Sequence, residues 1–161
     1  VEEVETGRTG PEAFFHETMS PRLPGLTYEE WVQAWGDNYS VNDPGWALLE
    51  EAREDGRTVS VLSNLSPYNQ LAIDRKWPHF FRTTDHNFYS YALGFHKPDP
   101  EIYRAACAAL GAEPSDCVFL DDLESNVAGA REAGLHAFQF TNDRIPEIRQ
   151  ALGLANGSAR A

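Results

Sequence analysis

The feature that most constrains the fold of this chain is an alternation of helical and short apolar segments, which begins at Gly45. The apolar segments TVSVLSN, CVFL and HAFQF are predicted as buried strands, and the stretch FFRTTDHNFYSYALG as a loop with up to one short strand. Because a helix lies between successive strands, the connections must be crossovers, which join parallel strands with a right-handed turn. The sequence therefore predicts an α/β core built on a parallel sheet.

The helices between these strands have recognisable ends. The segment GWALLEEAREDG ends at Gly56, whereas DPEIYRAACAALG begins after Asp99, has Pro100 in its first turn and ends at Gly111. Three more helices are predicted over PYNQLAIDRKW, ESNVAGAREAG and RIPEIRQALG. Helices of this length suit the crossovers of a parallel sheet.

The segment before Gly45 has a different character, because it is helical and rich in aromatic residues and has no strand signal. One helix is predicted over PEAFFHETM, with Pro11 in its first turn, and another over TYEEWVQAWGDNY, where Thr27 caps the helix and Glu30 completes a capping box. The chain is therefore divided into three parts: a helical unit at 1–44, an α/β core at 45–152 and a flexible tail at 153–161.

Composition and charge narrow the class of partner. The chain has 161 residues and a formal net charge of -12, and binding to nucleic acid or to an anionic membrane depends on clustered cations. There is no apolar run of membrane-spanning length, and the acidic start VEEVE has no basic region of the kind that begins a signal peptide. Cys107 and Cys117 form no CxxC motif and are interpreted as isolated thiols of a cytosolic protein. We expect a soluble, cytoplasmic protein with a small-molecule or protein partner.

Polar residues follow the predicted strands at the edge where a parallel sheet binds its ligands, beyond the carboxyl ends of the strands. The strand TVSVL ends in Ser63 and Asn64, the loop before DPEIY carries Lys97, and CVFL ends in Asp121 and Asp122. A hydroxyl, an amide, an ammonium and two carboxylates are thus expected at one rim. Such a set can bind a phosphate together with Mg²⁺.

Each of these residues also has a structural interpretation. Asp121 or Asp122 could cap the following helix, and Asp121 with Glu124 has the spacing of a capping box. Ser63 could be a turn hydroxyl, and Lys97 a solvated surface charge. Lys97 is, however, one of two lysines in a chain with eleven arginines, which favours a need for a compact point charge. The order of these residues at successive strand ends favours the functional interpretation.

These residues stand in segments that resemble the haloacid dehalogenase superfamily of phosphatases and related hydrolases. VLSNLS, GFHKPDPEIY and FLDDLESNVAGAREAGLHAF look like its second, third and fourth motifs, and the likeness covers Gly45 to Leu152. It is closest to the phosphatase-like branch that includes the N-terminal domain of soluble epoxide hydrolase. The resemblance implies a Rossmann-like, doubly wound parallel sheet, with a small helical cap formed by the segment before Gly45.

The resemblance also implies a role for each residue at the rim. The doubled Asp favours phosphate over halide chemistry, because the dehalogenases proper usually lack it and use no metal. The implied roles are phosphate binding by Ser63, Asn64 and Lys97, catalysis by Ser63 and Lys97, Mg²⁺ ligation by Asp122, and support of the metal site by Asp121 and Asn126.

The chain departs from the family at its first motif. In the family, the nucleophile is an Asp on the first strand, within a DxD pattern that also supplies the general acid/base Asp and two Mg²⁺ ligands. No hydrophobic strand ending in DxD occurs upstream of Glu12. The chain as written is thus expected to lack the central strand of its sheet, the N-terminal side of its cap and most of its Mg²⁺ site, and to leave neighbouring strands with unpaired edges.

Three hypotheses follow. The first is an Mg²⁺-dependent phosphatase of a small phosphorylated metabolite, working through an aspartyl-phosphate, whose nucleophile lies outside the 161 residues, so that this chain alone is inactive. The second is a non-catalytic binding or scaffold protein, in which a homodimer or a partner segment completes the sheet. The third is a metal-free 2-haloacid dehalogenase. Retention of Ser63, Lys97 and Asp122 together favours the first.

The cap carries the aromatic residues from which substrate specificity would come. We expect these rings to pack the cap onto the core rather than to stack on a substrate. Trp31 and Trp35 lie four residues apart, on one face of a predicted helix. The residues are Phe14, Phe15, Trp31, Trp35, Tyr39 and Trp46.

Overall fold

A computed structural model describes residues 9–154. The acidic start of the chain and all but the first two residues of the predicted tail lie outside the described residues. Helix α1 (Pro11–Phe14) continues as a π-helical turn (Phe15–Met19), and helix α2 follows at Tyr28–Asp37. The predicted capping box of α2 is confirmed, because the Glu30 N–H donates to the Thr27 hydroxyl and the Thr27 N–H donates to the Glu30 carboxylate.

The predicted alternation of helices and strands in the core is confirmed. Helix α3 begins two residues before the predicted boundary at Gly45. The stretch predicted as a loop with up to one strand contains β2 and also a single helical turn, α5, which Gly94 ends with a φ of 76°. The elements in chain order are α3 (Asp43–Glu54), β1 (Ser60–Ser63), α4 (Pro67–Lys76), β2 (His86–Tyr89), α5 (Ser90–Leu93), α6 (Pro100–Leu110), β3 (Val118–Asp121), α7 (Glu124–Glu132), β4 (His136–Gln139) and α8 (Ile145–Leu152).

The strands pair in parallel, as the crossovers require. β1 pairs with β2, with Ser63 opposite Tyr89 at the carboxyl end, and β3 pairs with β4, with Asp121 opposite Gln139. Among residues 9–154 these are two separate two-stranded sheets, and no strand lies between β1 and β3. The fold is a Rossmann-like α/β fold in which β1 and β3 each have one strand neighbour within the described part of the chain.

Apolar packing places α6 and α7 against the β3–β4 pair. Ile102, Tyr103, Val127 and Ala130 are fully buried there. A second apolar cluster joins α3 and α8, and it centres on Leu48, Ile148 and Leu154. This packing holds the carboxyl end of β3 in a fixed position, which matters for the site.

The cap packs on the core through its aromatic residues, as predicted. Trp31 of α2 is buried against Tyr68 of α4, with ring centroids 4.4 Å apart, and Phe15 joins the same cluster. Trp46, expected among the rings of the cap, lies in helix α3 of the core and contacts Phe80, also in the core, at 5.4 Å between centroids. The rings therefore connect parts of the protein to one another.

None of the helices in residues 9–154 combines the length and the apolar character that a membrane crossing needs.

Candidate active site at the carboxyl ends of the strands

The centre of the site is an ion pair between Lys97 and Asp121. The Lys97 Nζ lies 2.6 Å from Asp121 Oδ2, and the two side chains are only 10% and 6% exposed. Asp121 is the last residue of β3, whereas Lys97 lies in the loop between α5 and α6. Because a charged hydrogen bond this short fixes both partners, the structure brings these two predicted site residues together.

Asn64 holds the main chain of Lys97. Its Nδ2 donates to the Lys97 carbonyl at 2.9 Å, and its Oδ1 accepts the Lys97 N–H at 2.8 Å. Both ends of the Asn64 amide are thus hydrogen-bonded to one residue, 33 positions along the chain. Since Asn64 directly follows β1, this contact connects the end of β1 to the lysine loop.

The second oxygen of Asp121 is also occupied. Asp121 Oδ1 accepts hydrogen bonds from Asn126 Nδ2 at 2.8 Å and from the Leu123 N–H at 3.0 Å. The carbonyl of Asn126 in turn accepts the Tyr103 hydroxyl at 2.7 Å. Burial, and secondly the negative charge of Asp121, raises the pKa of Tyr103 above its usual value. A continuous set of contacts therefore runs from α6 through α7 to Asp121 and Lys97.

The alternative interpretation of the doubled Asp as a helix cap is wrong. The N-cap residue of α7 is Leu123, and no side chain caps this helix. The side chain of Asp121 accepts the N–H of Leu123, the N-cap residue itself, and no N–H from the first turn of α7. Its other donors are Lys97 and the side chain of Asn126. Glu124, the expected capping-box partner, pairs with Arg131 at 3.0 Å instead.

Asp122 and Ser63 differ from these buried residues. Asp122 is exposed, and its main-chain carbonyl accepts a hydrogen bond from Gln139 at 2.9 Å. Ser63 is half-buried at the end of β1. The rim thus has a buried part, with Lys97 and Asp121, and an accessible carboxylate next to it in sequence.

Comparison with known proteins places this arrangement in a family. A family model described as haloacid dehalogenase-like hydrolase matches residues 5–134. The chain belongs to the haloacid dehalogenase-like hydrolases.

The relatives of this chain include phosphatases. It is 38% identical over 104 residues to phosphatase MT3486 of Mycobacterium tuberculosis, an alignment that covers 65% of this chain and 47% of the relative. It is 33% identical over 118 residues to flavin mononucleotide hydrolase 1 of Arabidopsis thaliana, covering 72% of this chain and 47% of the relative. The chain thus spans about half the length of these curated relatives.

A solved structure shows the same fold. The wild-type haloacid dehalogenase family enzyme of Bacteroides thetaiotaomicron, in complex with magnesium and inorganic phosphate, superposes with a TM-score of 0.75 at 23% identity. The match covers 87% of this chain and 73% of that enzyme. The haloacid dehalogenase-like fold predicted from the sequence is therefore confirmed.

One residue that positions the site was not singled out in the sequence. A Cβ atom added to Gly129 of α7 would lie 2.1 Å from the main-chain oxygen of Pro98, far inside contact distance. Helix α7 can therefore approach the residue after Lys97 this closely only with glycine at that position. The signal in the sequence was a glycine inside a helix, which often marks a close packing contact.

The described residues do not by themselves form a metal site. Residues 9–154 contain no group of three or more His, Cys, Asp or Glu side chains arranged to hold a metal ion. Asp121 is occupied by Lys97 and its other donors. Asp122, which is exposed, keeps its role as a Mg²⁺ ligand as a prediction.

Proposed function

We propose that this chain is the cap and most of the core of an Mg²⁺-dependent phosphatase that acts on a small phosphate ester through an aspartyl-phosphate. The observation that carries the proposal is the buried Lys97–Asp121 pair beyond the ends of the strands. Asp122 directly follows Asp121 in the sequence, and Ser63 directly precedes Asn64, which binds the Lys97 main chain. Two of the relatives, a phosphatase and a flavin mononucleotide hydrolase by name, support phosphate chemistry.

Lys97 is proposed to stabilise the charge of the phosphoryl group. An ammonium is a compact point charge, which suits the oxygens of a phosphate, and preorganised charges stabilise a transition state without reorganising during the reaction. Asp121 and Asn64 supply that preorganisation, because they fix the Lys97 side chain and main chain. Ser63 is proposed to donate its hydroxyl to a phosphate oxygen. Asn64, proposed from the resemblance to bind phosphate, thus has a positioning role beside that one.

The nucleophile and most of the metal site are proposed to lie in a segment outside the 161 residues. The coverage of about half of the curated relatives supports this. The sheets support it too, because in the described part of the chain β1 and β3 each pair with one strand and have no partner strand on the other edge. Mg²⁺ is usually bound by one or two carboxylates together with substrate phosphate and water. Asp122 is proposed as one of those carboxylates. The residues present do not complete an Mg²⁺ site, so no step of the reaction is assigned to the ion.

The test compares this chain with the longer product of its reading frame, with p-nitrophenyl phosphate as the probe. We expect the longer protein to contain an upstream strand ending in DxD and to hydrolyse the probe, with loss of activity in EDTA and recovery in Mg²⁺. We expect the 161-residue chain to be inactive. In the longer protein, Asp122→Asn should lower kcat/KM about a hundredfold, equivalent to about 2.7 kcal/mol.

The control variant is Asp116→Asn, which removes an exposed carboxylate at the opposite end of β3 and should leave the rate unchanged. Turnover by the 161-residue chain that Asp122→Ala abolishes would contradict the proposal. So would a reading frame that begins at Val1. Chloride release from a 2-halo acid that is insensitive to EDTA would support the dehalogenase instead.

The second candidate is a non-catalytic binding protein. It is favoured by one observation, the absence of a complete metal site among residues 9–154. In this case another segment or a second copy of the chain would complete the sheet. Two measurements on the longer product separate the candidates: phosphate affinity by calorimetry without turnover of p-nitrophenyl phosphate would identify the binding protein, whereas turnover would identify the phosphatase.

A further inference from the structure

The two cysteines of the chain lie next to each other, far from the rim. The Sγ atoms of Cys107, near the end of α6, and Cys117, just before β3, are 3.7 Å apart, and both thiols are free. The interpretation of these residues as isolated thiols is therefore wrong. The ten-residue spacing concealed the contact, because the chain turns back after α6 through a 3₁₀ turn at Pro114–Asp116.

The main chain holds both cysteines in place. The Cys107 carbonyl accepts the Ala112 N–H at 3.0 Å, and the Cys117 N–H donates to the Pro114 carbonyl at 3.1 Å. The Cys117 carbonyl accepts the His136 N–H at 3.0 Å, which connects it to the start of β4. A disulfide bond requires the two sulfurs to approach to about 2.05 Å, so a side-chain movement of less than about 2 Å closes the remaining distance.

The two thiols differ in their access to solvent. Cys107 is 3% exposed, whereas Cys117 is half-buried. Burial, together with the neighbouring Cys117, raises the pKa of the Cys107 thiol to about 12. A reagent from solution therefore meets Cys117 first. Cys107 lies 3.7 Å from Cys117 Sγ and is placed to attack whatever forms there, although its high pKa makes this second step the slower one because only the thiolate attacks.

We propose that Cys107 and Cys117 are a redox site, which forms a reversible intramolecular disulfide by exchange with a low-molecular-weight disulfide of the glutathione type. The Cys117 thiolate attacks one sulfur of the small disulfide, forms a mixed disulfide and expels one small thiolate. Cys107 then loses its proton to solvent and attacks Cys117 Sγ, which expels the second small thiolate. The two protein thiols are oxidised, and one small disulfide is reduced to two thiols.

This site is separate from the rim, because Cys117 precedes the first residue of β3 and Asp121 is its last. The bond would join α6 to β3 at the end of the sheet opposite Lys97. Folding and disulfide formation are linked equilibria. If the bond forms more readily in the folded chain than in the unfolded chain, it stabilises the folded chain by the same free energy. The redox site thus couples the thiol–disulfide balance of the surroundings to the stability of the chain.

The test equilibrates the full 161-residue chain with oxidised and reduced glutathione, followed by acid quenching and intact mass spectrometry. We expect a mass loss of about 2 Da, a Cys107–Cys117 cross-linked peptide and complete reversal by dithiothreitol. The same measurement in urea is the decisive comparison. The equilibrium constant for the intramolecular bond should be at least about tenfold higher in the folded chain than in the unfolded one.

Single variants assign the two positions. Cys107→Ser and Cys107→Ala should stop at the mixed disulfide on Cys117, with one glutathione added. Cys117→Ser should remain unmodified while it is folded, because Cys107 is buried. Two results would overturn the proposal: a wild-type chain that accumulates the mixed disulfide without losing the second thiol, or an equilibrium constant that is the same with and without urea.

Discussion

The cap and the rim are held to the core by different forces. The cap meets the core through apolar rings, with Trp31 5% exposed and 4.4 Å from Tyr68 between ring centroids. The rim is held by charge and hydrogen bonds, with the Lys97 ammonium 2.6 Å from the Asp121 carboxylate. Apolar contact depends on volume and area, whereas a buried charge depends on having its partner.

The difference indicates which region tolerates change. A ring of similar size can replace another with a small loss, because packing adapts to volume-conserving substitutions. An Asp at the end of β3 has no such substitute, since each of its two oxygens has its own donors. We therefore expect the apolar contact of the cap to tolerate substitution better than the rim does.

The largest effect is expected from Asp121→Asn. This change leaves the Lys97 ammonium, 10% exposed, without a counter-charge, and it should lower the free energy of unfolding by about 3–5 kcal/mol. The measurement is urea denaturation followed by tryptophan fluorescence. The matched variant removes both charges, Lys97→Met with Asp121→Asn, and leaves at position 121 an amide oxygen that can still accept from Leu123 and Asn126. It should recover most of the loss because no buried charge remains. A double variant as unstable as the single one would contradict the ion-pair explanation.

The cap gives the next largest effect. Trp31→Ala should cost about 3–4 kcal/mol, because it removes a buried ring from the contact with Tyr68. Trp31→Phe keeps most of the volume and should cost less than about 1.5 kcal/mol. Differential scanning calorimetry of the two variants measures this difference. Equal losses would show that the tryptophan contributes more than its volume, and the contrast between cap and rim would then disappear.

Most of the fold could be predicted from local signals. The alternation of helices and strands and the cap of α2 by Thr27 depend on residues close in sequence, and the structure confirms them. The single turn α5 was missed, because a helix of four residues has no periodicity to detect. Gly94, which ends this turn, was the one residue in the sequence that could have indicated it.

The site could be predicted only in part. The rule that ligands bind beyond the carboxyl ends of parallel strands brought Lys97 and Asp121 together correctly. The contact of Asn64 with the Lys97 main chain and the proximity of Cys107 to Cys117 were not predicted. Both depend on how a loop turns back after a helix, which the side-chain pattern of the segment does not encode.

Gly129→Ala tests how the rim depends on helix packing. The added Cβ would collide with the Pro98 oxygen, so α7 or the lysine loop must move, at a cost of about 2–3 kcal/mol. The control is Ala128→Ser, an exposed position one residue earlier on the same helix, which should change stability by less than about 0.5 kcal/mol. Urea denaturation compares the two. In the longer protein, Gly129→Ala should also lower kcat through the displaced Lys97, and an unchanged kcat would contradict this positioning role.

Tyr103 lies between the two kinds of contact, because its ring is buried in the apolar cluster behind β3 while its hydroxyl donates to Asn126. Its folded pKa is raised above the ordinary value of 10.0, so the unfolded chain loses this proton first as the pH rises. The contribution of Tyr103 to the free energy of unfolding is therefore complete below about pH 10 and is lost as the pH rises towards the folded pKa. Tyr103→Phe should cost about 1 kcal/mol at neutral pH through the lost hydrogen bond. Between about pH 9 and pH 11, however, the variant should lose about 1 kcal/mol less than the wild type. Urea denaturation at the two pH values measures both effects, and a parallel decline of the two proteins would show that other tyrosines carry the alkaline dependence.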